Sequence, residues 1–487
     1  MNSMASPPAK KEGDISDSFA SLSGLAPEPL PDRFRELKLS LAQGHEAQMD
    51  KSWRKLLRRL REENEIVARE GPAVIPEVQY RNLDNDLARL NETIRKRGAA
   101  VIRGVIPEDE ARAYKTEIEK YVRKNPHTRG FPATDPQVFE LYWSAPQLRA
   151  RSHPNFMRAQ KALMQSLWHS SDPDALVSLS QPLTYADRLR IRQPGDAVFA
   201  LGPHQDGGSL ERWEREGYGR GGVYDAVLAG DWERYDPWDV SGRVDAVTNL
   251  YNGLGACSMF RMFQGWLSMS RSGPNQGTLL VNPLLQLSTA YSLMRPFFRP
   301  IKALGLDIPQ FGTAEREAFL DPDNWEFTGG EKMTSEIPGA TAGHGMEFPA
   351  FALHPHLELE RTMVHIPEVR PGDFVVWHCD TIHSVDKTHN GTGDSSVLYI
   401  PVCPVTEQNA EYLVRQRSAF REGTPGPDFP GGKGESEHID RPTEEYVRLH
   451  ADLAGLQAFG LEKLSEGVAE NPGALAVIRR ANAILGF

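Results

Sequence analysis

The fold of this chain is limited most by a set of short β-branched runs, each closed off by turn-forming residues. They are Gly98-Ala-Ala-Val-Ile-Arg-Gly-Val-Ile-Pro107, RLRIRQPG from Arg188, GTLLVNP from Gly277, DFVVWHC from Asp373 and SVLYIPV from Ser396. Such runs, flanked by Gly, Pro, Asp or Asn, read as buried strands. Long loops separate them, not helices of repeated length. A doubly wound parallel sheet needs helical crossovers between successive strands, so the pattern points instead to an antiparallel sandwich or barrel with its helices gathered towards the ends of the chain.

Those helices show in the apolar spacing. Met49, Trp53, Leu56, Leu57 and Leu60 recur on one side of a helix, with Arg54, Lys55, Arg58, Arg59 and Arg61 on the other. With Glu62, Glu63 and Glu65 beside it, that basic run reads as a solvated face and not a nucleic-acid patch. A helical stretch near 85–97 leads into the first strand. Helical spacing returns at Tyr446, Leu449, Leu453 and Leu456, and a last helix spans 472–486 with Pro near its start and Gly near its end. The expected organisation is a disordered tail over 1–30, rich in Ser, Pro, Ala and Gly, then an N-terminal helical extension over 31–84. The β domain follows over 85–410, with a polar Gly- and Pro-containing insert at 284–345 long enough to act as a lid, and a C-terminal helical extension occupies 411–487.

Composition removes several function classes. Lys plus Arg number 55 against 66 Asp plus Glu, a net charge of -11 that repels a polyanion. No apolar stretch reaches the roughly 18 residues a membrane helix needs, so neither nucleic acid nor membrane is an expected partner. Three cysteines, Cys257, Cys379 and Cys403, with no CxxC pair, give no disulfide framework or zinc knot and fit a reducing, cytoplasmic setting. Cys257 and Cys379 read as buried small residues, and no Ser or Cys sits in a nucleophile elbow.

Two imidazoles and one carboxylate can hold a divalent metal on one face and leave the opposite face open to substrate and O2. The sequence form is His-x-Asp at a strand end, where residues two apart point the same way, plus a distant His. Four His-x-Asp pairs occur: His204/Asp206, His378/Asp380, His438/Asp440 and His450/Asp452. His450/Asp452 lies in helical spacing, where residues two apart diverge, and His438/Asp440 in a Gly- and Glu-rich loop. His204 and Asp206 follow a strand and precede Gly207-Gly208, which lets backbone and ligands come close to a metal. They are the first choice, and the third ligand is expected from the cluster of His378 and His383.

At these residues the chain resembles the Fe(II)/2-oxoglutarate-dependent dioxygenases. Their late strand runs Gly-Asp, apolar residues, then a His ten positions after the Asp, which Asp373 to His383 matches. RKRGAAVIRGVIPEDEA and Phe263-Gln-Gly-Trp-Leu267 are similar to other strands of that superfamily, and the likeness spans roughly 85–405. More narrowly, PHQDGGSLERWE, AGDWERYDPWD and PGDFVVWHCDTIHSV resemble a group of oxygenases known as domain of unknown function 1479. The resemblance implies a double-stranded β-helix (jelly-roll, cupin-like) core. It also implies His204, Asp206 and His383 as metal ligands and catalytic centre, Fe(II) and 2-oxoglutarate as cofactors, and O2 and a small molecule as reactants.

One departure stands out. Where the superfamily places an Arg for the far carboxylate of 2-oxoglutarate, and a Ser two residues later, this chain has Thr392 and Asp394. Ser396 is the candidate hydroxyl, and the cation must come from another strand. Arg261 is the first choice, with Lys387, Arg190 and Arg192 behind it. The departure leaves room for an Fe(II) oxidase that does not use 2-oxoglutarate, a Zn hydrolase with the same ligand types, or a binding protein stabilised by its metal. His378 reads as a strand-end neighbour of the site, and His354 and His356 as ordinary strand residues. Trp213, Tyr218, Tyr224, Trp232, Tyr235 and Trp238 suit a pocket wall and a cover over the barrel mouth equally.

Overall fold

The structure is a computed structural model, which describes residues 15–23, 28–198, 200–253, 256–305, 308–349, 351–429 and 431–487. The expected tail therefore falls partly outside the described residues. Ten strands position the site: β1 Ala99–Arg103, β2 Leu189–Arg192, β3 His204–Gln205, β4 Phe263–Ser268, β5 Leu279–Val281, β6 Met346–Glu347, β7 Val364–His365, β8 Phe374–His378, β9 His383–Val385 and β10 Ser395–Tyr399. The larger sheet has the order Glu77–Gln79, β1, β8, β4, β10, β2, Val138–Phe139, Gly130–Phe131, with only the first pair parallel. The smaller sheet, β6-β3-β9-β5-β7, is antiparallel throughout. Every run read as a strand in the sequence is one.

The two-residue period of a strand sorts the core. Val101, Trp266, Val375, Trp377 and Val397 of the larger sheet share one apolar cluster with Leu279 and Val281 of the smaller. The alternate residues, among them Ala100, Ile102, Leu267, Phe374, Val376 and Leu398, face the other way and pack on Leu83, Leu87, Ile94, Phe156 and Leu163 of the helical layer. The larger sheet is covered on both faces, which explains why its strands read as continuous apolar runs instead of alternating ones.

Three segments differ from expectation. Within the expected tail, Ile15–Ser18 and Ala20–Ser23 form helical turns that bury Ile15, Phe19 and Ala20. The basic amphipathic helix, α1 (Glu46–Glu70), packs by its apolar side as its spacing predicts. Its Trp53 stacks on Phe298 at 4.4 Å and Tyr291 at 5.2 Å, both from the expected insert. That insert contributes α2 (Leu285–Met294), of which nearly every residue is buried, so this part of it is core. His354 and His356 are buried too, but on a loop and a 3-10 turn, not a strand.

Candidate metal centre

The site forms where β3 and β9 lie side by side, with His204 directly opposite His383 in the register. Their rings approach to 4.1 Å between centroids. His204 Nδ1 meets the Gly202 carbonyl at 2.8 Å and His383 Nδ1 meets the Thr381 carbonyl at 3.1 Å. A carbonyl can only accept, so each Nδ1 carries a proton, and in the neutral tautomer this leaves the Nε2 lone pair for a metal. Both Nε2 atoms face Asp206, at 3.8 Å from its Oδ1 for His204 and 3.6 Å from its Oδ2 for His383. These gaps exceed hydrogen-bond length, and they suit donors that share one ion bound at about 2.1 Å each. The three ligand atoms lie within 4.8 Å of one another.

The electrostatics favour the metal-ready forms. Burial, followed by the neighbouring His204 imidazole, pushes His383 down to about 3, so it is neutral at neutral pH. Burial works to raise the Asp206 carboxyl, but His204, His383, Arg261 and a hydrogen bond from Gln264 outweigh it and hold the group below its ordinary value. The His204 and His383 imidazoles with an ionised Asp206 carboxylate are the donor set that suits Fe(II) with open positions, and they can also hold Zn(II). Directly after Asp206 the chain turns through Gly207 and Gly208 at φ +81° and +86°. A Cβ on Gly208 would lie 2.8 Å from both the Glu211 carboxylate and the Thr248 carbonyl. Only glycine fits that turn.

His378 and Asp380 also come together, but for another purpose. His378 donates from Nε2 to the Pro237 carbonyl at 2.9 Å, and its Nδ1 accepts from the Asp380 amide at 3.0 Å, so neither nitrogen is free for a metal. The Asp380 carboxylate receives Arg212 at 2.7 Å, Tyr224 at 2.8 Å, Tyr235 at 3.0 Å and Arg243 at 2.6 Å. Burial opposes its charge, yet Arg243 and Arg212 hold it well below the usual carboxylate range. This cluster grips both ligand strands. Arg212 also donates to the Asp206 carbonyl at 2.8 Å, and the Gln205 side chain donates to the Asp380 carbonyl at 2.5 Å. The aromatic segment is therefore scaffold: Tyr224 and Tyr235 serve Asp380, Tyr218 donates to the Gly207 carbonyl, and Trp213 and Trp232 lie in the core.

A cavity of about 130 Å³ opens beside the three ligands. Its walls include Tyr185, Trp266, Trp377, Tyr399 and Phe429, with Arg190 and Arg261 among them. None of its lining residues comes from the 284–345 insert. Ile15, Ser18 and Phe19 cover it instead, with the Phe19 ring edge-on to His204 at 4.7 Å. Ser396 does not reach it. In β10 the residues opposite the inward Arg190 and Arg192 are Val397 and Ser395, so Ser396 points the other way, where its hydroxyl donates to Asp394. Asp394 itself pairs with Arg112 at 2.8 Å, on the helix Glu108–Lys124. The hydroxyl on the inner face is Ser395, which shares the Gly277 carbonyl with Arg190 at 3.2 and 3.1 Å. Arg192 is paired with Asp196 at 2.6 Å, and Lys387 is exposed. The other His-x-Asp pairs do not converge: Asp440 pairs with Lys124, and Asp452 caps the helix Leu453–Ala458.

The model of the Gig2-like family matches residues 28–461. The chain belongs to the Gig2-like family. It is similar to the crystal structure of GlcNAc Inducible Gene 2, GIG2 (DUF1479), from Candida albicans, with 30% identity, a TM-score of 0.79, and 95% of this chain and 97% of that one covered. The Escherichia coli protein JW0805 superposes with a TM-score of 0.70 at 29% identity, over 88% of this chain and 96% of that one. Among curated proteins, YbiU of Escherichia coli K12 is 29% identical over 406 residues, 81% of this chain and 87% of that protein. The likeness to the domain of unknown function 1479 group is thereby established at the level of the family. No helix among the described residues is long and apolar enough to cross a membrane.

Proposed function

We propose that this chain is a non-heme Fe(II)/2-oxoglutarate-dependent oxygenase acting on a small molecule, and that its two sheets are the double-stranded β-helix of that superfamily. The observation that carries the reading is the convergence of two Nε2 atoms on one carboxylate, with both Nδ1 atoms tied to backbone carbonyls. His204, Asp206 and His383 would hold the iron. Bound there with 2-oxoglutarate, Fe(II) supplies O2-dependent oxidation of a substrate C–H bond, with succinate and CO2 as co-products.

The chain's own residues do the positioning. Arg190 is buried in the cavity wall; it donates to the Gly277 carbonyl, and its Nε has no partner among the described residues. Burial, which Arg192 reinforces, lowers its pKa, a strain that a bound carboxylate would relieve. We assign the far carboxylate of 2-oxoglutarate to Arg190 in preference to Arg261, with Ser395 in place of Ser396 as the hydroxyl on that face. Phe19 and Trp377 cover His204 and His383 and keep bulk water from the centre.

The test is O2-dependent release of succinate from 2-oxoglutarate by Fe(II)-loaded protein. Wild type should show slow substrate-free turnover, and Arg190→Met should raise KM for 2-oxoglutarate by about tenfold or more. Oxygen consumption without succinate would favour the oxidase reading. Activity retained without O2 would favour hydrolysis.

A further inference from the structure

Arg190 accounts for one guanidinium in the cavity; a second is left over. Arg261 sits just before β4 and lines both the main cavity and a smaller one of about 30 Å³, as do Asp206 and Gln264. It therefore stands at the metal end, next to Asp206. Its guanidinium lies 5.3 Å over the ring of Tyr185, whose hydroxyl is anchored on Asp428 at 3.1 Å. Stacking on a fixed ring sets the plane of the fork without using its N–H donors.

Arg261 makes no hydrogen bond or ion pair among the described residues, unlike the other inward-facing arginines. Arg212 and Arg243 share Asp380, Arg192 has Asp196, and Arg151 donates to the Tyr142 and Asp187 carbonyls. Arg188, at the same cavity, lies over Phe429 at 4.9 Å and within 3.5 Å of Asp187. A guanidinium carries five donors, and leaving them unmade in a largely enclosed, aromatic-walled site is costly unless a ligand completes them. Asp206 cannot be that partner while its carboxylate serves the metal.

We infer that Arg261 is the substrate's anchor, and that the substrate is a small organic acid whose carboxylate meets Arg261 while a flat ring or unsaturated portion lies against Trp266, Tyr185 and Phe429. The inference rests on the oxygenase reading, with Arg190 serving the co-substrate. A planar fork favours a planar carboxylate, and the aromatic walls favour a flat body. The small cavity favours a compact molecule.

The experiment is calorimetric titration of protein loaded with Fe(II) and 2-oxoglutarate under argon, using benzoate and phenylacetate against benzamide and phenylacetamide. The acids should bind about tenfold or more tighter than their amides. Arg261→Gln should erase that difference, Arg261→Lys should keep part of it, and both should bind 2-oxoglutarate as wild type does. Equal binding of acid and amide, no acid binding at millimolar concentration, or an undiminished preference in Arg261→Gln overturns the inference. Loss of 2-oxoglutarate binding in Arg261→Gln but not in Arg190→Met would also overturn it, since Arg261 would then serve the co-substrate and the oxygenase reading would stand. Should wild type bind neither Fe(II) nor 2-oxoglutarate, the oxygenase reading falls. The same acid and amide pairs on metal-free protein then decide Arg261 alone.

Discussion

Two groups of arginines lie close to the ligand strands, and they are built differently. Around Asp380, two guanidiniums and two phenols deliver four hydrogen bonds to one carboxylate, which closes the cluster. In the cavity, Arg190 and Arg261 have no carboxylate partner among the described residues. Proximity alone does not separate the two kinds of site, because His378, Cys379 and Asp380 bring possible ligand atoms as close together as His204, Asp206 and His383 do. The state of the hydrogen bonds does separate them. Donors and acceptors satisfied within the chain hold the fold; those left over inside a cavity are available to a ligand.

The comparison predicts opposite responses to substitution. The largest effect should come from Asp380→Ala, which strands Arg212 and Arg243 as buried charges and should cost about 3–5 kcal/mol of unfolding free energy. Denaturant titration measures it, and a loss under about 1 kcal/mol would break the contrast. Next is pH. Burial pushes His354, His356 and His378 each down to about 3. Their ordinary value is about 6.5, so between the two values only the unfolded chain takes up these protons. Stability should therefore be full above about 6.5 and fall as pH drops towards 3, by up to about 1.4 kcal/mol per pH unit for each imidazole. His378→Gln should flatten that slope relative to wild type, and an unchanged slope would contradict the burial of a neutral ring there.

A smaller loss is expected of Tyr235→Phe, which removes one hydrogen bond to a charged acceptor: about 1.5–3 kcal/mol in the same titration. The smallest stability effect belongs to the cavity. Arg190→Met removes a buried cation that has no counter-charge, so the unfolding midpoint should hold or rise slightly even as 2-oxoglutarate binding fails. A destabilisation comparable to that of Asp380→Ala would mean that Arg190 is structural after all.

These contrasts also mark what could be read from the sequence. β1, β2, β5, β8 and β10 were legible because β-branched runs between turn formers can be little else at that length, whereas β4 was suggested only by the family resemblance. His204 and Asp206 were legible because a strand end followed by two glycines is a local pattern; His383 was told from His378 only by the resemblance to a family whose His stands ten residues after a Gly-Asp turn. The Asp380 cluster was not. Arg212, Tyr224, Tyr235 and Arg243 lie more than 130 positions from Asp380, in a stretch that locally resembles any acidic aromatic loop. That Ser396 faces away from the cavity was not legible, because a strand's parity is fixed by its neighbours and not by its own composition. Phe19 was read as tail because a single turn of helix has no periodicity to detect. The polar, Gly- and Pro-containing composition of 284–345 suggests a cover or a subdomain, which hides that its helix Leu285–Met294 is almost entirely buried.

Anaerobic titration of the apoprotein with Fe(II), followed by 2-oxoglutarate, tests the centre itself. The account predicts one tightly bound Fe(II) per chain, a visible charge-transfer absorption on adding 2-oxoglutarate, and loss of both in Asp206→Ala and His383→Ala with the unfolding transition preserved. Wild-type protein that binds no Fe(II), or an Asp206→Ala variant that binds it as tightly as wild type, would contradict the assignment of His204, Asp206 and His383.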